Sequence, residues 1–137
     1  MSWAGKSGII GKIGSLLKRI KQAPSVSDQA AVAAAVQQWQ KSRDYLLHDS
    51  HPSRCALSMG ITPSQLHQYC LRELGMDFRT WRTSLRIEEA KKMLLAEPKA
   101  HISLIARRVG INDRSNFSRL FKEHTGYLPS DWRKLQH

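Results

Sequence analysis

Residues 104–126, LIARRVGINDRSNFSRLFKEHTG, can be laid over residues 54–75, RCALSMGITPSQLHQYCLRELG, with a single extra residue in the later copy. Ala56 and Gly60 match Ala106 and Gly110 at the same spacing, and Ile61 matches Ile111. Leu66 then matches Phe117, Tyr69 matches Leu120, Cys70 matches Phe121, and Gly75 matches Gly126. Self-similarity of this kind means that one supersecondary unit has been used twice. Each copy reads as a short helix, a tight turn at glycine and a second short helix. A small residue lets the two helices approach, glycine accepts the positive φ that ends the first, and a polar cap opens the second. Thr62 followed by Pro63 suits N-cap and N1 of one second helix, and Asn112 or Asp113 suits the N-cap of the other.

In the later copy Phe117, Leu120, Phe121 and His124 fall at i, i+3, i+4 and i+7, which predicts a buried stripe and turns Arg114, Ser115, Ser118, Arg119 and Lys122 outward. Three cations and two hydroxyls on a helix that follows such a turn suit the major groove of a duplex, where base edges and phosphates are both in reach. Taken singly, Arg114 reads as nothing more than a solvated side chain; turn, cap and charge together make the face a candidate contact surface.

Between the copies runs Phe78 to Ala96, predicted as a linker helix. Trp81, Leu85, Ala90, Leu94 and Leu95 lie on one broad face, and Arg79, Arg82, Arg86, Lys91 and Lys92 lie elsewhere. At 1.5 Å per residue it reaches about 28 Å, enough to hold two reading helices near one DNA turn apart, roughly 34 Å.

Further out, a helix without Gly or Pro is predicted from about Ser27 to Leu47, capped by Ser25, Ser27 or Asp28 and carrying Val32, Val36, Trp39 and Leu46. Periodicity is helical throughout and no strand-like alternation persists, so the fold is read as all-α. The chain divides by composition into a basic glycine-rich appendage (1–24), an N-terminal helix with the first helix-turn-helix (25–75), the linker helix (76–97), and the second helix-turn-helix with a C-terminal helix (98–137).

The 137 residues include 22 lysines and arginines against 11 acidic residues, a formal net charge of +11 that favours a polyanionic partner. Cys55 and Cys70 are too few for a disulfide framework and form no C-x-x-C pair, which fits a reducing cytoplasm. Neither a membrane span nor a secretory signal is evident. His48, His51, Cys55, His67 and Cys70 match no standard zinc spacing. No nucleophile elbow, phosphate loop or paired carboxylate accompanies the Ser, His and Asp residues, so neither an enzyme nor a cofactor is expected. Trp39, Trp81 and Trp132 sit on apolar helix faces and read as core; Trp3 reads as exposed.

The run WRTSLRIEEAKKMLL from Trp81 to Leu95, followed by ISLIARRVGINDRSNFSRLFKEHTGYLPSDWRK from Ile102 to Lys134, resembles the C-terminal DNA-binding domain of AraC/XylS-family regulators. The resemblance extends more weakly back to about Trp39, covering about 95 of the 137 residues. It implies a double-stranded DNA-binding transcription regulator of the bacterial cytoplasm, usually an activator that also touches RNA polymerase, with recognition helices at Ser64 to Leu74 and Arg114 to His124. Arg114, Ser115, Ser118 and Arg119 fall on the family's base- and phosphate-facing positions, Lys122 on the neighbouring basic one, and Arg86 on that of the linker-helix arginine. In the first unit the corresponding outward positions are Ser64, His67, Gln68 and Arg72. There Gln68 stands where the family often has arginine, Cys70 stands where it often has phenylalanine, and Pro52 replaces the apolar residue seen at Ile102.

Family members generally carry a sensing region ahead of this domain, and only about forty residues precede it here, with no small-molecule pocket evident. The expectation is a stand-alone regulator controlled by its abundance, or the end of a longer gene product. Within those residues Ile9, Ile10, Ile13, Leu16, Leu17 and Ile20 form a helical stripe flanked by Lys12, Lys18, Arg19 and Lys21, the pattern of a basic segment that lies on anionic membranes or a partner. Glycines at 5, 8, 11 and 14 oppose a stable helix in water, leaving a basic tail that strengthens nonspecific DNA binding, or a segment docked on the domain, as the other readings.

Overall fold

The computed structural model describes residues 26–47 and 51–136, and the chain divides into two units between Ala31 and Val32. The appendage, the membrane stripe at residues 9–21 and Trp3 lie outside the described residues. Among the described residues there is no strand, and no helix is long and apolar enough to cross a membrane.

Helix α1 spans Val26–Ser42 and is followed by a 3-10 turn at Asp44–Leu46. The first repeat supplies α2 (Pro52–Met59) and α3 (Pro63–Tyr69), the latter continued by a π-helical turn at Cys70–Leu74. The linker is α4 (Phe78–Ala96); the second repeat supplies α5 (Ile102–Arg108) and α6 (Arg114–Thr125), and α7 (Pro129–Leu135) closes the chain.

The second unit holds two apolar clusters. In one, Val32, Val36, Trp39 and Tyr45 pack with Cys55, Leu66, Tyr69, Cys70, Phe78 and Trp81. In the other, Ile87, Ala90 and Leu94 pack with Ile102, Ile105, Val109, Ile111, Phe117 and Phe121. Helix α4 therefore gives its N-terminal half to one cluster and its C-terminal half to the other. Leu46 packs against both. Trp39 has its ring centroid 5.4 Å from Phe78 and 5.8 Å from Trp81, while Trp132 lies edge-on to Phe121 at 5.8 Å. These three tryptophans are used for packing, as their apolar faces predict.

The helix expected over Ser27 to Leu47 breaks at Arg43, which has φ 66 in the left-handed region. A non-glycine residue there is unfavourable by itself. It is held by long-range partners: the Arg43 guanidinium bonds Glu89 of α4, which is buried, and the break lets Tyr45 enter the core. Burial, and then the Glu89 charge, push the Tyr45 hydroxyl above its ordinary range. Three further expectations are corrected. Leu95 is 44% exposed, because the apolar stripe of α4 narrows to Ala90 and Leu94. His124 is exposed, because α6 buries only Phe117 and Phe121 fully and Leu120 partly. Arg86, expected on the outside, is buried.

Candidate nucleic-acid interface

The two repeats build the same turn. Ile61 N–H donates to the Ala56 carbonyl at 3.0 Å and Ile111 N–H to the Ala106 carbonyl at 2.9 Å; Gly60 and Gly110 N–H donate to Leu57 and Arg107, both at 3.0 Å. Gly60 has φ +78 and Gly110 φ +86, the left-handed geometry that the sequence alignment requires of both. The helix that follows opens with a cap in each case. Thr62 Oγ1 accepts from Gln65 N–H at 3.0 Å while the Gln65 side chain accepts from Thr62 N–H at 2.9 Å, a complete capping box with Pro63 at the first position. In the second copy the cap is Asp113, whose Oδ1 accepts from Ser115 N–H at 2.9 Å.

These turns present two polar helix faces. On α3, Leu66, Tyr69 and Cys70 are buried, leaving Ser64, His67 and Gln68 exposed, with Arg72 on the π-helical turn paired to Glu73 at 3.2 Å. On α6, Arg114, Ser115, Arg119 and Lys122 are exposed and Ser118 is half-buried. Arg119 is held along its own helix, donating to Glu123 at 2.8 Å and to Asn116 at 2.6 Å. Both sets follow from the same arithmetic: residues three and four apart bury one stripe and expose the opposite one.

Arg86 does not belong to either face. Its Nε donates to the Tyr45 carbonyl at 2.6 Å, Nη1 to the Gly110 carbonyl at 3.3 Å, and Nη2 to the Leu47 carbonyl. A buried guanidinium needs acceptors for its fork of donors, and three main-chain carbonyls supply them. Burial, followed by the nearby Arg82 cation, lowers its pKa to about 10, still charged at neutral pH. The expected phosphate-facing role of Arg86 is replaced by one inside the protein: it joins the chain after α1 to the turn between α5 and α6.

Other side chains of α4 take the outward position. Arg79, Arg82 and Thr83, together with the buried Arg86, line an open cleft of about 610 Å³ with Asn112, Asn116 and Arg119. Arg82 is anchored in this setting, its guanidinium 5.3 Å from the Phe78 ring centroid and 3.7 Å from Cys55 Sγ. Their 79-82-83 spacing places them on one side of a helix, a signal available in the sequence, where Arg79 and Arg82 were set only off the apolar face. Among the described residues no three His, Cys, Asp or Glu side chains are grouped to hold a metal ion. Cys55 and Cys70 are buried and unpaired with each other, and burial pushes the Cys70 thiol up to about 11.

Two matched turn-and-helix units on one linker helix define a double helix-turn-helix module. The helix-turn-helix domain family matches residues 55–135. The arabinose operon regulatory protein of Salmonella typhimurium is 36% identical over 89 residues, 64% of this chain and 31% of its own length. The transcriptional activator RhrA of Rhizobium meliloti is 42% identical over 76 residues, 55% of this chain and 24% of its own. The C-terminal domain of AraT, a response regulator from Geobacillus stearothermophilus, has a TM-score of 0.67 at 30% identity, covering 77% of this chain and 84% of that one. The DNA-binding domain of AdpA, solved with a target DNA, shares the fold at a TM-score of 0.65 and 15% identity, covering 76% of this chain and 90% of that one. The chain belongs to the AraC-type helix-turn-helix family. It spans less than a third of the length of the two curated relatives named here.

Proposed function

We propose that this chain is a sequence-specific double-stranded DNA-binding transcription regulator, an activator, that sets α3 and α6 into successive major grooves of one duplex. The observation that carries this reading is the pair of exposed polar helices built in the same frame on a single linker. A net charge of +11 supplies the attraction to a polyanion. Ser64, His67, Gln68 and Arg72 serve the first groove, and Arg114, Ser115, Ser118, Arg119 and Lys122 the second. The relatives support the regulatory part: one is named for the arabinose operon and another as a transcriptional activator. Contact with RNA polymerase belongs to the activator role.

Two nonidentical reading helices on one chain remove the need for a twofold dimer, so binding is by one chain to an asymmetric site. Selection of bound sequences from a random duplex library tests this. An enriched bipartite motif with unlike halves, bound by one chain in sedimentation, is the expected result. No enrichment at low and moderate salt would overturn sequence-specific binding, and an obligatory pair of chains on a palindrome would overturn the monomeric mode.

A further inference from the structure

We infer that the cleft between α4 and α6 seats the phosphodiester backbone where the duplex crosses from one reading helix to the other, with Arg79 as its principal ligand. The inference rests on the duplex-binding reading above. Arg79 borders both helix-turn-helix copies: it lines the cleft with Asn112, Asn116 and Arg119, and it also lines, with His67 of α3, a smaller hollow beside the first reading helix. One side chain of the linker thus lies beside outward residues of both helices.

A duplex read in two successive major grooves turns its intervening minor groove toward whatever lies between the readers. The edges of that groove are sugar-phosphate strands, so the group presented there is a phosphate rather than a base edge. The cleft is suited to one. Guanidinium, amide and hydroxyl groups line it beside the apolar Ile111 and Leu120, and no carboxylate does. Arg is the side chain best matched to phosphate, through parallel N–H donors. The carboxylate nearest in sequence to its walls, Asp113 beside Asn112, caps α6 by accepting from Ser115 N–H; Asp77 caps α4, and Glu123 is paired with Arg119.

The three linker arginines divide the work. Arg86 has its donors committed to carbonyls. Arg82 is rooted over Phe78 and toward Cys55. Arg79 is exposed at the cleft, where its guanidinium can reach an incoming strand. Burial, and then the nearby Arg82 cation, lower the proton affinity of Arg86, and a bound anion would offset the second of these.

The test uses the full chain and the duplex obtained by selection, in two forms: natural, and with methylphosphonates replacing the phosphates that border its central minor groove. Wild type should bind the neutralised duplex on the order of tenfold more weakly. Arg79→Gln should lose a similar factor on the natural duplex, show a salt slope lower by about one, and be indifferent to the neutralisation. Lys92→Gln is the control for charge alone; Lys92 is 77% exposed and its helical angle places it on the opposite side of α4. It should keep the sensitivity to neutralisation. Equal loss by Arg79→Gln and wild type on the neutralised duplex, or wild-type affinity of Arg79→Gln for the natural one, would overturn the seat while leaving sequence-specific binding standing. Failure of wild type to select any duplex would overturn the underlying reading, and the seat with it.

Discussion

The Arg86 guanidinium lies against the Gly110 backbone: Nη1 donates to its carbonyl at 3.3 Å, and a Cβ added at Gly110 would stand 3.0 Å from Arg86 Cζ. The same Cβ would be 2.5 Å from the Leu46 carbonyl oxygen, a contact no side chain tolerates. Three segments meet here, the turn after α1, the middle of the linker and the turn of the second unit. The second helix-turn-helix is thereby tied to the segment that precedes the first helix-turn-helix.

Gly110 and Gly60 occupy equivalent turn positions, so alanine at each makes a matched comparison. Both would force a left-handed L-residue, at about 1–2 kcal/mol. Around Gly60 nothing lies within 4 Å of the added Cβ. Gly60→Ala should therefore stay near that figure, whereas Gly110→Ala adds an overpacking cost of about 1–3 kcal/mol. Urea midpoints should fall further for Gly110→Ala; equal midpoints would show that the junction yields freely.

Arg86→Lys keeps the charge and loses the fork. One ammonium cannot meet three carbonyls set around a planar guanidinium, and the buried acceptors left over should cost about 2–4 kcal/mol. Thermal melts should show this loss. At a temperature where the variant is folded, the salt slope of its DNA binding should match wild type, because no phosphate contact has been removed. A lower slope with an unchanged melt would return Arg86 to the DNA surface.

Arg86 also marks where sequence reading stopped. The repeat, the first cap and the linker bounds at Phe78 and Ala96 were legible because each is written in local spacing: glycine at the turn, Thr62 ahead of the next helix, apolar residues at helical intervals; the second cap was narrowed to Asn112 or Asp113, and the structure assigns it to Asp113. Arg86 sits between Leu85 and Ile87, and its acceptors are carbonyls 39 and 41 residues back and 24 ahead. Nothing local distinguishes such an arginine from a solvated one. The break at Arg43 is similar, since no glycine or proline announces it and the Glu89 ion pair that holds it is 46 residues away. His124 continues the i, i+3, i+4, i+7 arithmetic correctly but lies beyond the part of α6 that the core covers. The outward residues of α3 and α6 were legible for the opposite reason: exposure there is the complement of a stripe that is buried.

Cys70, the counterpart of Phe121, carries a pH dependence. Its thiol is pushed up to about 11, by burial first and then by the Asp77 charge, while an unfolded cysteine titrates near ~8.5. The folded state holds the proton more tightly, so the stability it contributes is full below the unfolded value and is lost as pH rises through about 11. Denaturation midpoints should decline across that window, and Cys70→Ala should decline less steeply. An identical decline in the variant would remove Cys70 as a source.

On α6 the division between sequence readers and anchors turns on Arg119 and its neighbours. Arg114 and Ser115 stand in the first turn with Ser118 and Arg119 one turn on, and Lys122 lies a further turn along. In the free protein Arg119 is bound to Glu123 and Asn116. An exposed pair of this kind contributes about 0.2–1 kcal/mol, less than the roughly 1–3 kcal/mol by which an arginine on guanine O6 and N7 discriminates against the wrong base. Exchange of Glu123 for a base edge is therefore favourable. Glu123→Gln should raise affinity for every duplex without changing their order, since it removes a carboxylate from a surface that meets phosphates. Arg114→Ala and Arg119→Ala should relax preference at one or two base pairs, whereas Lys122→Ala should weaken all sequences together and lower the salt slope by about one. Titration against the selected site and its single-base variants at two salt concentrations distinguishes these patterns. An unchanged ranking in both arginine variants would make α6 an anchor and pass sequence reading to Ser64, His67 and Gln68 on α3.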